Sequence, residues 1–136
     1  MKDITILMTG GGDDERVLEM ALSLARYLGA CLWPLQLIEL PEPPYNTLAI
    51  ISDSGVDKFY QRLRAEKEGF SDRVRARLKA ERGGHRDLRV VEAIGASACK
   101  VAVHEALYSD LVIVSRTSFG LVAGHRQPPE IASFLL

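Results

Sequence analysis

Apolar positions along this chain recur with two different periods, and the changes of period mark its elements. Asp3–Thr9, "DITILMT", is a short β-branched and apolar run, the pattern of a strand buried on both faces. Three glycines follow. Beyond them Val17, Leu18, Ala21, Leu22, Ala25 and Leu28 recur at helical spacing, with Asp13 or Asp14 placed to cap the start and Gly29 to stop the end. "ACLWPLQLIEL" predicts a second strand, in which Pro34 removes one ladder donor and so belongs near a sheet edge or a bulge. "PEPPYNTLAIISDSG" has three prolines and no period, a loop with room for one short turn of structure.

From Asp57 to Arg82 the period is helical again, with Val56, Phe59, Leu63, Phe70, Val74 and Leu78 on one side and Gly69 as a weak point. "ERGGHRD" is a turn and Leu88–Gly95 a third strand. Ala98–Tyr108 is a third helix, with Ser97 as its cap. "DLVIVSR" is a fourth strand whose β-branched content predicts a central position, and "TSFGLVAGHRQPPE" is a loop before a helix that starts at "EIASFLL". Strands alternating with helices predict an α/β fold, an open parallel sheet with helices on both faces. Ligands of such sheets bind beyond the C-terminal strand ends, where strand order reverses, so the loops after strands one and four are the places to examine.

The chain has 136 residues, 47% hydrophobic and 26% charged, enough for one domain with a real core. No apolar run reaches membrane-spanning length and the N-terminus has no secretory signal pattern, so the expectation is a cytoplasmic protein without a membrane partner. Cys31 and Cys99 form no CxxC and imply no disulfide framework. Charge is uneven: residues 1–55 carry three basic and eight acidic side chains, residues 57–82 nine basic and five acidic. Acids are interspersed with the bases of the second stretch, including Lys67, as on a solvated helix face laced with ion pairs. With a net charge of -1, nucleic acid is not an expected partner.

The glycine loop raises the question of a phosphate. Gly10–Gly12 can offer backbone amides at a helix N-terminus, which favours anions. Asp13, Asp14 and Glu15 follow at once, oppose a phosphate, and suit the positive end of the helix dipole. Neither GxxxxGK[ST] nor GxGxxG is present. A tight turn is therefore the preferred reading of the loop.

"ILMTGGGDDERVLEMALSLARYLGACLWPLQLIELPEP" resembles the opening of the universal stress protein family, whose first strand ends in Asp-Gly-Ser before a helix patterned "AL…A..LA…LGA". "VEAIGASACKVAVHEALYSDLVIVSR" is similar to that family's Gly-led third helix and its "ADLIVVGSR" fourth strand. The resemblance covers nearly the whole chain. It implies a Rossmann-like sheet of the HUP superfamily with strand order 3-2-1-4, and a fifth strand that this chain lacks.

In the family's terms the nucleotide cleft falls on Thr9, Gly10, Gly11, Leu37, Val114, Ser115, Arg116 and Thr117. Thr9 stands where the adenine-side Asp would be, Gly10 and Gly11 where Gly-Ser would be, and Leu37 where the main chain holds adenine. The family's Gly-x2-Gly-x9-Gly-Ser/Thr motif maps onto Val114, Thr117 and the vicinity of Gln127, with all three glycines missing. Side chains there obstruct the approach of backbone to phosphate.

No catalytic or metal-ligating set emerges. Cys99 and His104 are five apart and fall on different sides of a helix, His85 lies in a glycine turn and His125 in a loop. His125 and Arg126 beside Ser115, Arg116 and Ser118 form one candidate anion site, and Trp33 reads as core or interface. The resemblance implies a non-enzymatic stress-response or regulatory module with no cofactor and a degenerate nucleotide pocket. It also implies a tendency to dimerise or to occur as tandem domains. The alternatives are a switch protein binding ATP or AMP, with slow ATP hydrolysis, or a binder of another small anion or metabolite. Residues 1–136 read as one domain, ending early in its fourth helix. That ending predicts an uncovered strand edge, closed by a homodimer or by the second domain of a longer protein.

Overall fold

The computed structural model describes residues 1–41, 53–95 and 97–122. Four strands, β1 (Asp3–Met8), β2 (Cys31–Leu40), β3 (Arg89–Ile94) and β4 (Leu111–Val114), form one parallel sheet in the order β3-β2-β1-β4. Among the described residues four helices accompany them: α1 (Asp14–Leu28), α2 (Asp53–Ala80), α3 (Ser97–Ala106) and α4 (Arg116–Val122). The α/β class and the 3-2-1-4 order are those expected.

The alternation of side chains along β1 divides the core. Ile4, Ile6 and Met8 face α1 and the C-terminal half of α2, meeting Leu18, Leu22, Phe70 and Val74. Leu7, with Leu35 and Leu37 of β2, faces the other way, against Ala98 and Ala102 of α3 and Phe119 of α4. The sheet is therefore covered on both faces, which is why β1 reads as continuously apolar. Gly29 ends α1 at φ +63, where its N–H bonds Arg26 O and the Ala30 N–H bonds Ala25 O, a cap that needs the left-handed conformation.

Several sequence expectations change. Among the described residues β4 pairs only with β1 and stands at the edge of the four-stranded sheet, where its β-branched content predicted a central position. Its β-branched residues answer to burial on two faces, Leu111 and Ile113 against one cluster and Val114 against the other, and not to pairing on two edges. β2 is interior. Leu32 still directs its N–H to Gly84 O and its C=O to the Arg86 N–H, and β3 begins to pair only at Leu35 and Arg89. Pro34 lies in that gap, so its missing donor costs no ladder bond.

Helix α2 begins at Asp53, earlier than its apolar stripe suggests, and Phe59 near its start is 49% exposed. Its ion pairs mostly join elements: Arg73 to Glu15, Arg77 to Glu19, and Arg64 in a two-point pair to Glu92 at 2.7 and 3.0 Å. Ser97 is the first residue of α3, and its hydroxyl donates back to Ile94 O at 2.6 Å instead of capping an amide. The residues after β4 are helical from Arg116 to Val122, where the sequence pattern predicted a loop. The remainder of the predicted loop, the "EIASFLL" helix, His125, Arg126 and Gln127 lie outside the described residues, as does residues 42–52 of the Pro-rich segment.

Candidate functional site

At the switch point between β1 and β4, the glycine loop and the start of α4 meet over one carboxylate. β1 ends at Met8, and the chain turns through Gly10 at φ +89, a conformation that side chains other than glycine's rarely adopt. Asp14 opens α1, and its side chain is fully buried. It does not cap its own helix but points back into the loop. Oδ2 accepts the backbone N–H groups of Thr9 at 2.9 Å, Gly10 at 2.9 Å and Gly11 at 3.1 Å. Three successive amides converging on one oxygen form an anion nest.

Oδ1 accepts from the other side of the switch point, from Ser115 Oγ at 2.6 Å and Ser118 Oγ at 2.7 Å. Ser115 also caps α4: its Oγ accepts the Ser118 N–H at 3.0 Å, and its carbonyl accepts the Phe119 N–H at 2.8 Å. The Ser118 hydroxyl donates its one hydrogen bond to Asp14, so the Thr9 hydroxyl, 2.8 Å from Ser118 Oγ, is the donor in that pair. A single buried carboxylate thus takes five hydrogen bonds and ties β1, α1 and α4 together.

The outer side of the loop is covered as well. Lys67 of α2 donates from Nζ to Thr9 O at 3.0 Å, and a Cβ on Gly10 would stand 3.1 Å from that nitrogen. A Cβ on Gly11 would lie 3.0 Å from Thr117 Cγ2, and Thr117 Oγ1 donates to Asp13 Oδ2 at 3.3 Å. Lys67 therefore belongs to this site and not to a solvated face.

The structure brings together Thr9, Gly10, Gly11, Ser115 and Thr117 from the sequence-predicted set. Val114 ends β4 beside the apolar cluster, and Arg116 is exposed. Leu37 is not at the end of β2 but three residues inside it, with its side chain buried. Asp14, read from sequence as a partner of its own helix, and Lys67, read as solvated, were not placed in the cleft, and Ser118 was placed only in the anion site with His125 and Arg126. The Ser115-x-x-Ser118 spacing is a helix-start signal, and it was the readable clue. Ser115 and Ser118 are buried with their hydroxyls turned inward, which removes both from the anion site considered with His125 and Arg126.

The Ser115 and Ser118 hydroxyls donate to Asp14, the Thr9 hydroxyl to Ser118 and the Thr117 hydroxyl to Asp13, so each has a hydrogen-bond acceptor within the site. His104 is exposed and lies edge-on to Tyr108, His85 bridges to Leu32 through its backbone, and Cys99 packs against the α3-side cluster. Among the described residues no group of three His, Cys, Asp or Glu side chains could hold a metal ion, and no helix is long and apolar enough to cross a membrane.

No protein-family model matches this chain, and no curated protein matches it by sequence. Its fold is that of solved universal stress proteins. A member of that family from Burkholderia pseudomallei superposes with a TM-score of 0.62 at 19% identity, covering 93% of this chain and 90% of that one. UspA from Lactobacillus plantarum superposes with a TM-score of 0.65 at 12% identity, covering 98% of this chain and 89% of that one.

Proposed function

We propose that this chain is a non-enzymatic stress-response or regulatory module, built on the universal stress protein fold with its phosphate cradle filled from within. The observation that carries the reading is the Asp14 carboxylate on the amides of Thr9, Gly10 and Gly11. Those amides are the donors that the glycine loop could offer to an anion. A phosphate brought to them would meet a carboxylate already in place, and two unit charges 4 Å apart repel by about 4 kcal/mol at an effective dielectric constant of 20. Lys67 and Thr117 restrict the loop from outside.

In this reading the module acts in the cytoplasm through protein contacts, as a homodimer or beside a second domain of the same fold, and needs no cofactor. The rival, a switch protein binding ATP or AMP, draws on the adjacency of the loops after β1 and β4. Calorimetric titration with magnesium ATP and with AMP separates the two. The proposal expects no saturable heat at micromolar nucleotide and no phosphate release over hours; low-micromolar affinity for either nucleotide would overturn it.

A further inference from the structure

A second concavity lies at the opposite end of the sheet. It opens between the start of β1, Trp33–Leu35 of β2, the segment entering β3 and the end of α3, and it encloses about 410 Å³. Small-molecule sites span roughly 300–1,000 Å³. Its origin is the gap in pairing at Pro34. Arg86 bonds Leu32 O through its backbone, the next pair is Leu35 with Arg89, and between them the chain leaves the sheet. The indole of Trp33, third residue of β2, forms part of the wall and stays 42% exposed.

The charges lining the cleft differ in how they are engaged. Asp3 accepts the Trp33 Nε1–H at 2.9 Å, and Glu105 pairs with Arg89 at 2.5 Å. Arg86 and Asp87 also line the cleft, and among the described residues neither takes part in an ion pair. The Arg86 guanidinium lies 5.0 Å from the centre of the Trp33 ring. One cation, Arg86 over the Trp33 ring, and two carboxylates outside any ion pair among the described residues, Asp87 and the hydrogen-bonded Asp3, therefore stand around a single concavity with a half-exposed aromatic wall.

We propose that this cleft binds a zwitterionic aromatic compound with the chemistry of an aromatic α-amino acid. Its ring packs against Trp33, Pro34 and Leu35, its carboxylate pairs with Arg86 and its ammonium with Asp87. A ligand with only one charge would desolvate the other protein group without giving it a partner, so both charges are part of the specificity. The site shares no residue with the glycine loop, and neither its success nor its failure bears on the nucleotide reading.

Trp33 is the only tryptophan of the chain, so its emission reports on the cleft directly. L-Phenylalanine, which does not absorb at the red edge of indole excitation, is the probe, with calorimetry as the second readout. The expected result is a saturable change in emission, with phenylacetate and phenethylamine each binding at least about tenfold more weakly, the loss of one charged pair of about 1.4 kcal/mol. Arg86→Gln should cost phenylalanine about the same factor and leave phenethylamine unaffected. Asp87→Asn should do the same for phenylalanine while sparing phenylacetate. The wild-type ligand series decides the matter even if a variant folds poorly. No saturable response to phenylalanine, or equal affinity for a singly charged ligand, would overturn the proposal. So would an emission that follows protein concentration instead of ligand, which would assign Trp33 to contact with a second copy.

Discussion

Asp14 stands at the head of α1, yet its Oδ2 accepts the N–H of Gly10, four residues behind it, at 2.9 Å. An acid in the first turn of a helix ordinarily serves that helix. Here it serves the loop that precedes it. The loop keeps the amide arrangement of an anion site and receives its anion from the same chain.

Asp14→Ala leaves three amides and two hydroxyls without their acceptor, at a buried to half-buried site. The expected cost is about 3 kcal/mol or more, measured as a shift of the urea midpoint. Formate or phosphate at millimolar concentration should recover part of the thermal stability in this variant and none in the wild type. Asp14→Asn, which keeps one acceptor oxygen, should fall between the two. A variant as stable as the wild type would remove Asp14 from the centre of this account.

Gln36 is fully buried and its Nε2 has no partner among the described residues, while its Oε1 accepts from Ser71 Oγ at 2.5 Å. Ser71 Oγ also lies 3.1 Å from Lys67 O, so it has an alternative acceptor. Gln36→Leu removes an unpaired buried amide and strands nothing. It should be neutral or stabilising by about 1 kcal/mol, and a clear destabilisation in chemical denaturation would contradict this.

The position of β4 has a consequence for mutations along the sheet. Ile6 is fully buried in a strand paired on both sides, whereas Val112 is half-buried in a strand paired on one. Ile6→Ala should cost about 3 kcal/mol, and Val112→Ala less than about 1.5. Comparable losses at both sites would mean that β4 is covered by more than the described residues provide.

Acid sensitivity should reside partly in Asp110. The N–H groups of Lys2 and Asp3 donate to its carboxylate at 2.7 and 3.0 Å and hold its pKa below the usual aspartate value. A group depressed in the folded state stabilises above its unfolded pKa, about 3.9, and that contribution disappears as pH falls through the folded value. Asp110→Asn should therefore be less stable than the wild type at neutral pH, with the gap closing below about pH 4. A gap independent of pH would show that the carboxylate charge is irrelevant there.

Much of the architecture was determined by local sequence. The apolar run of β1, the helical spacing through Leu28 with Gly29 behind it, and the alternation of strands with helices follow from periods of two and 3.6, and these do not depend on distant residues. The glycine loop, too, could be located from the sequence, as could its place at the switch point. What the loop holds could not. Asp14 and Gly10 are close in sequence, but the direction of the Asp14 side chain depends on Ser115 and Ser118, more than 100 positions away, which supply the donors for its second oxygen. The same distance explains Lys67, read locally as a solvated lysine and found on Thr9 O because α2 packs across β1. Periodicity reports which side of an element is buried. Only the packed sheet decides which buried polar groups meet, because a hydrogen bond joins atoms whose separation along the chain carries no information about their separation in space.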